Sequence, residues 1–134
     1  MTVLVRVLCV GVGGMAGSVA RFLLSSWIMK VVGTAFPLGT FVVNLIGSLL
    51  LGAIMAIGVH TTSLSANAQL GLTTGVMGGF TTYSTFNFET LRLLEQRAWA
   101  LAGLNLAVTL LGCLVAGWLG WQGTAWLLAG RGAR

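Results

Sequence analysis

Between Lys30 and Glu89 the chain carries no Lys, Arg, Asp or Glu, and no other feature narrows its possible folds as much. A helix that crosses a bilayer needs roughly 20 mostly apolar residues. This stretch is too long for one crossing, so it should hold two, divided by the polar segment HTTSLSANAQ, His60 to Gln69. Another uncharged run extends from Arg97 to Arg131, and a further one, Val7 to Met29, is interrupted only by Arg21. The chain is 57% hydrophobic and 7% charged, against about 25% charged in ordinary soluble domains. That little charge cannot clothe a compact body in solvated surface. The expectation is an all-α membrane protein, a single domain over 1–134, with four transmembrane helices near 3–29, 36–58, 67–96 and 99–128.

Several function classes are excluded. Cys9 and Cys113 both fall in apolar runs, which is neither a disulfide framework nor a metal spacing. Arg6 followed by Val7 to Ala20 imitates a signal peptide, but the apolar run continues past Arg21 to Met29 and spans. A net charge of +5 would suggest nucleic acid in a soluble protein. Here the basic residues are scattered over helix ends, so membrane anchoring explains them and no nucleic-acid partner is expected. His60, the one histidine, reads as a solvated loop residue. No nucleophile has a base beside it, and an enzyme is not expected.

With four crossings, both termini and the 59–66 loop share one side, which carries Arg6, Arg131 and Arg134. The other side carries Lys30, Arg92 and Arg97. Orientation follows the Lys/Arg difference between sides, so a balanced chain has little reason to choose. Dual insertion, and antiparallel pairing of the two orientations, are expected. Gly13 with Gly17, Gly71 with Gly75 and Gly75 with Gly79 form GxxxG spacings, and Ser48 with Gly52 adds a small-residue pair. These let backbones approach closely in lipid, and they say bundle or oligomer without naming a substrate.

The polar residues inside these runs carry the functional signal. Asn44 lies mid-helix, with Thr40 one turn before it and Ser48 one turn after. An amide at that depth needs partners. It makes either an interhelical hydrogen bond or an offer of its NH2 hydrogens to a passing anion. Asn105, Thr109 and Cys113 repeat the four-residue spacing on the last helix. Arg21 is the basic residue deepest in a span and reads either as a vestibule charge that concentrates anions or as a snorkelling helix-end arginine. In GGFTTYSTF, Gly78 to Phe86, the two glycines have weak helix propensity, and Thr81 and Thr82 compete for backbone hydrogen bonds. The third helix is therefore expected to break near Gly78–Thr82. A break frees carbonyls that protein, water or an ion must satisfy. Tyr83 and Phe86 are three apart and share a face, flanked by Ser84 and Thr85. Ring edges are positive and attract an anion without trapping it, as conduction requires. Thr40, Asn44, Tyr83, Ser84, Thr85, Phe86, Thr109 and Cys113 are therefore the candidate path for a small anion. The residues alone do not choose fluoride over chloride.

Three stretches together, GGMAGSVAR (Gly13 to Arg21), PLGTFVVNLIGS (Pro37 to Ser48) and GVMGGFTTYSTFNFET (Gly75 to Thr90), resemble the Fluc (CrcB) family of small fluoride channels, and with the four-span layout they cover most of the chain. The resemblance implies a multi-pass protein of the plasma membrane (the bacterial inner membrane) that acts as an antiparallel homodimer and passively exports cytoplasmic fluoride. It implies that Asn44 is a pore asparagine, that Tyr83 and Phe86 line the pores with their ring edges, and that Thr109 and Cys113 belong to a polar track. It also implies a structural Na+ at the dimer centre, held by the backbone carbonyls of Gly78 and Thr81. Tyr83 departs from the phenylalanine common there, and Cys113 puts a thiol, a weaker donor, where Ser or Thr is usual. Glu89 is a candidate for electrostatics at a pore entrance, or else a solvated helix-end carboxylate.

The alternative is a small proton-coupled multidrug exporter, which needs an ionisable carboxylate in mid-membrane. Glu89 and Glu95 are the only acids and both lie near the end of the third helix. A noncatalytic assembly subunit would leave the polar tracks as coincidence.

Overall fold

A computed structural model describes residues 2–132 and the side chains of 3–130; Arg134, and the side chain of Arg131, lie outside the described set. Every secondary-structure element of the described chain is a helix. Helix α1 is Thr2–Val32 and α2 is Leu38–His60. Helix α3 covers 66–80 in three contiguous pieces, Ala66–Leu70, a π-helical Gly71–Met77 and a last turn Gly78–Phe80. Helix α4 is Tyr83–Glu95 and α5 is Trp99–Gly132. Three of them, α1, α2 and α5, are long and apolar enough to cross a membrane. The remaining stretch, 66–95, is two shorter helices that meet at an interruption.

The ends follow from local chemistry. Ser65 caps α3 by accepting the Ala68 N–H at 3.2 Å, which satisfies one of the donors a helix start leaves over. Helix α4 closes with Ala98 N–H donating to the Leu93 carbonyl at 2.9 Å and Arg97 left-handed at φ 59°, the Schellman arrangement in which glycine is more usual. His60 is exposed as expected, but it is the last residue of α2, with its ring centroid 5.9 Å from that of Trp121.

Two seams hold the bundle. Along the first, α1 lies backbone to backbone on α3. A methyl on Gly13 would sit 3.0 Å from Val76 N, on Gly17 2.8 Å from Phe80 N, and on Gly79 3.0 Å from Gly14 Cα. The GxxxG spacings of α1 and α3 are thus spent on each other within one chain. Along the second seam, a methyl on Gly52 of α2 would lie 3.0 Å from Trp121 N, and one on Gly120 of α5 3.1 Å from Ala53 N. In lipid such contact replaces the hydrophobic driving force available in water. Since nothing flexible stands opposite Gly17, Gly17→Ala should destabilise the bundle by about 1–3 kcal/mol. Loss of monodisperse protein on heating in detergent would report it.

The seam also decides where the third helical stretch gives way. Gly78 keeps helical angles, φ −63° and ψ −36°, and Gly79 is locked against Gly14. Instead, Thr81 turns extended at φ −78°, ψ 158°, and Thr82 at φ −152°, ψ 111°. Thr81 ends α3 by donating both its N–H, at 2.9 Å, and its hydroxyl, at 3.0 Å, to the Met77 carbonyl. Thr82 starts α4 by accepting the Thr85 N–H on its Oγ1 at 3.3 Å. The interruption therefore falls in the last two positions of the expected window. Gly79 supplies close approach and the threonines supply the break.

Candidate functional site

Asn44 of α2 clamps the interruption. Its Oδ1 accepts the Thr82 N–H at 2.7 Å, and its Nδ2 donates to the Thr82 carbonyl at 3.1 Å. In an unbroken helix the Thr82 N–H would go to the Gly78 carbonyl. Given to Asn44 instead, it leaves Gly78 without its helical partner, while the extended angles of Thr81 take that residue's carbonyl out of the ladder. The amide thus makes the interhelical bond, and one of its two N–H hydrogens is left over.

Around this clamp lie two cavities that share Thr82. The first, about 270 Å³, is lined by Asn44, Ser48, Thr81, Tyr83, Phe86, Thr109 and Cys113 among others. The Tyr83 and Phe86 ring centroids are 5.7 Å apart with planes at 55°. Phe86 is 4% exposed and Tyr83 75%, so one ring belongs to the interior and the other stands at the surface of the single chain. The second cavity, about 250 Å³, is lined by Ser18, Arg21, Ser25, Ser26, Thr40, Thr82 and Thr85 among others. The Nε of Arg21 is buried there with no hydrogen-bond partner among the described residues. Thr85 meets Thr82 hydroxyl to hydroxyl at 2.9 Å. Ser84 stands 3.4 Å from the Thr82 hydroxyl and is outside the lining of both cavities.

Thr40 donates to Glu89 Oε1 at 2.9 Å, which ties α2 to α4. Glu89 itself faces a third hollow of about 170 Å³, shared with Met29, Pro37, Arg92 and Gln96. That hollow lies at the end of the bundle where α1 finishes and α2 begins.

One network escaped the sequence reading. Thr90 donates to the Phe86 carbonyl at 2.8 Å, Asn105 Nδ2 donates to the Thr90 hydroxyl at 2.8 Å, and Thr109 donates to Asn105 Oδ1 at 3.3 Å. All three residues are buried, Asn105 at 2% exposure. The network fixes α4 to α5 directly behind Phe86. A hydroxyl has a single hydrogen, so Thr109 turns lone pairs toward the first cavity while it holds Asn105, as Thr40 does while it holds Glu89. Thr90 was visible as a hydroxyl four residues after Phe86, the spacing at which a helical threonine reaches back to a carbonyl. Asn105 was visible as an intramembrane amide. What joined them was the α4–α5 packing.

The described residues hold no cluster of three or more His, Cys, Asp or Glu that could ligate a metal, and both cysteines are free thiols. The groups that could hold a hard cation are the Gly78 carbonyl, which has lost its helical donor, and the Thr81 carbonyl, which is turned out of the ladder. Helix C-terminal ends and unwound backbone carbonyls can coordinate Na+ at membrane depth.

Apolar spans joined by backbone seams, around an interrupted helix clamped at its polar centre, define a multi-pass helical membrane protein. The chain belongs to the CrcB-like (camphor resistance) family, whose model matches residues 8–121. It is 53% identical over 90% of its length to a fluoride-specific ion channel FluC of Sorangium cellulosum, of which the match covers 95%. Relatives with the same name from Geotalea daltonii and Anaeromyxobacter are each 46% identical, over 85% and 91% of this chain and 92% and 97% of their own.

Proposed function

We propose that this chain is a passive, selective fluoride channel of the plasma membrane (the inner membrane in a bacterium), which lets cytoplasmic fluoride out and so lowers its toxicity. The observation that carries the reading is the first cavity. Its lining gathers a clamped amide with a spare N–H, two aromatic rings and neutral hydroxyl and thiol groups, in a chain whose close relatives bear the name of fluoride-specific channels. A small dehydrated anion needs compact donors, and it needs them uncharged enough to let it leave. In this reading Asn44, Tyr83 and Phe86 line the path, with Thr109 and Cys113 as its track on α5. Arg21 gathers anions at a vestibule lined also by Thr40 and Thr85, and Glu89 shapes the entrance.

The finer architecture belongs to the same proposal. Helices α3 and α4 together supply more rise than a hydrocarbon core of about 30 Å demands, so they serve as the third of four crossings. The balance of Arg6, Arg131 and Arg134 against Lys30, Arg92 and Arg97 favours dual insertion. A second copy in the opposite orientation would cover Tyr83, whose ring lines a cavity yet stands exposed in one chain. At the symmetry axis the Gly78 and Thr81 carbonyls of both copies would hold a structural Na+, which supplies fixed positive charge where helix dipoles end. Nothing in this arrangement makes or breaks covalent bonds.

The exporter reading is not favoured. It needs a carboxylate free to load and release protons in mid-membrane, whereas Glu89 is tied to Thr40 and faces the hollow at one end of the bundle. The test is efflux from liposomes preloaded with potassium fluoride or potassium chloride, started with valinomycin and followed by ion-selective electrode. Purified protein should release fluoride and retain chloride. Equal release of both, or release of fluoride only when a proton gradient is imposed, would refute a selective passive channel.

A further inference from the structure

Asn44 and Asn105 are both buried amides, at 8% and 2% exposure, but they are held in different ways. Asn44 accepts from the Thr82 N–H and donates to the Thr82 carbonyl. A half-turn of that amide would set donor against donor and acceptor against acceptor, so its orientation is fixed. Asn105 instead has a hydroxyl on each side, Thr90 at 2.8 Å and Thr109 at 3.3 Å. A hydroxyl both donates and accepts and rotates to suit, so this amide can be satisfied either way round.

In the orientation observed, Thr109 donates to Asn105 Oδ1, Asn105 Nδ2 donates to Thr90, and Thr90 donates to the Phe86 carbonyl. Thr109 then shows the first cavity its lone pairs, which repel an anion. A half-turn of the amide exchanges its oxygen and nitrogen, which are nearly alike in shape. The Thr90 hydroxyl would then donate to Oδ1, and Nδ2 would donate to the Thr109 oxygen. The Phe86 carbonyl would keep its helical partner, the Thr90 N–H, because both residues lie inside α4. The Thr109 hydrogen would be released, and an anion in the cavity supplies the acceptor it needs. Thr40 has no such freedom, since its partner Glu89, when ionised, can only accept.

We infer that Asn105 is a positioning residue for fluoride: an ion in the first cavity turns the Asn105 amide, and the turned amide aims the Thr109 hydroxyl at the ion. The ion selects the turned state because that state gives it a donor where the other gives it lone pairs. Asn105 is outside the lining of the cavity and acts through Thr109. The inference rests on the fluoride-channel reading and adds a moving part to it.

The experiment uses the full chain in lipid nanodiscs, with isotopically labelled asparagine followed by NMR. The side-chain amide signal of Asn105 is the one absent from Asn105→Leu. Fluoride should shift that signal, chloride at the same concentration should not, and Thr109→Val should abolish the response. In liposomes, Thr109→Val and Asn105→Leu should each lower fluoride release by about tenfold, the scale of one hydrogen bond to a charged group. The double variant should lose no more than the worse single one. An Asn105 that merely braced Phe86 through Thr90 would add its loss to that of Thr109→Val. Additive losses, or an Asn105 signal that ignores fluoride in a chain that releases it, would overturn the positioning role and leave the channel standing. A chain that releases no fluoride would remove both.

Discussion

Phe86→Ile is expected to abolish fluoride release from liposomes while leaving the protein folded. The exchange removes a ring with a positive edge and keeps a bulky apolar side chain, a swap that usually costs less than about 1.5 kcal/mol of stability. The Thr90 hydroxyl holds the backbone carbonyl of residue 86 and not its ring, so the α4–α5 tie survives. Isoleucine offers an approaching anion only aliphatic hydrogens. A loss of at least about tenfold corresponds to ~1.4 kcal/mol added to the barrier, and a dehydrated ion leaves little to soften that loss. The measurement is the fluoride-electrode trace beside a size-exclusion profile. Near-normal release from a well-behaved variant would remove ring edges from the account of permeation.

Asn44→Asp should fail for two separable reasons. A carboxylate has no N–H to give the Thr82 carbonyl, so two oxygens face each other across the present 3.1 Å contact, and it sets negative charge where an anion must pass. Asn44→Ala loses the clamp without adding charge and should cost about 1–3 kcal/mol, because the Thr82 N–H and carbonyl are left unpaired at depth. If Asn44 both holds the break and donates to the ion, the aspartate should conduct less than the alanine at matched protein quality. Undiminished flux in the aspartate variant would count against any role for the amide in the path.

The membrane class and the apolar spans were legible because a run without charge between Lys30 and Glu89 admits few other uses. The interruption was legible as a region and not as a mechanism. Weak helix propensity at Gly78 and Gly79 is a local quantity, and it was overruled by the contact of Gly79 with α1, which no local quantity contains. The amide of Asn44 could be read as needing a partner, but the identity of that partner depends on how α2 crosses the third stretch. Thr40 and Thr109 looked like donors facing a path. Their hydrogens are taken by Glu89 and Asn105, residues 49 and 4 positions away, and only packing decides which way a rotatable hydroxyl points. Tyr83 and Phe86 shared a face as their spacing suggested, yet one is buried and the other exposed, a difference that belongs to the edge of the bundle.

The clamp on Thr82 has a consequence for how such a bend can be inherited or borrowed. The kinked shape is not encoded by the kinked segment alone. Moved into another hairpin without an amide opposite, residues 78–86 would keep the Thr82 cap but lose the partner that draws the Thr82 N–H away from the Gly78 carbonyl. Any change that rotates α2 by a fraction of a turn should act in the same way, so the curvature of one span is governed by the rotational setting of another.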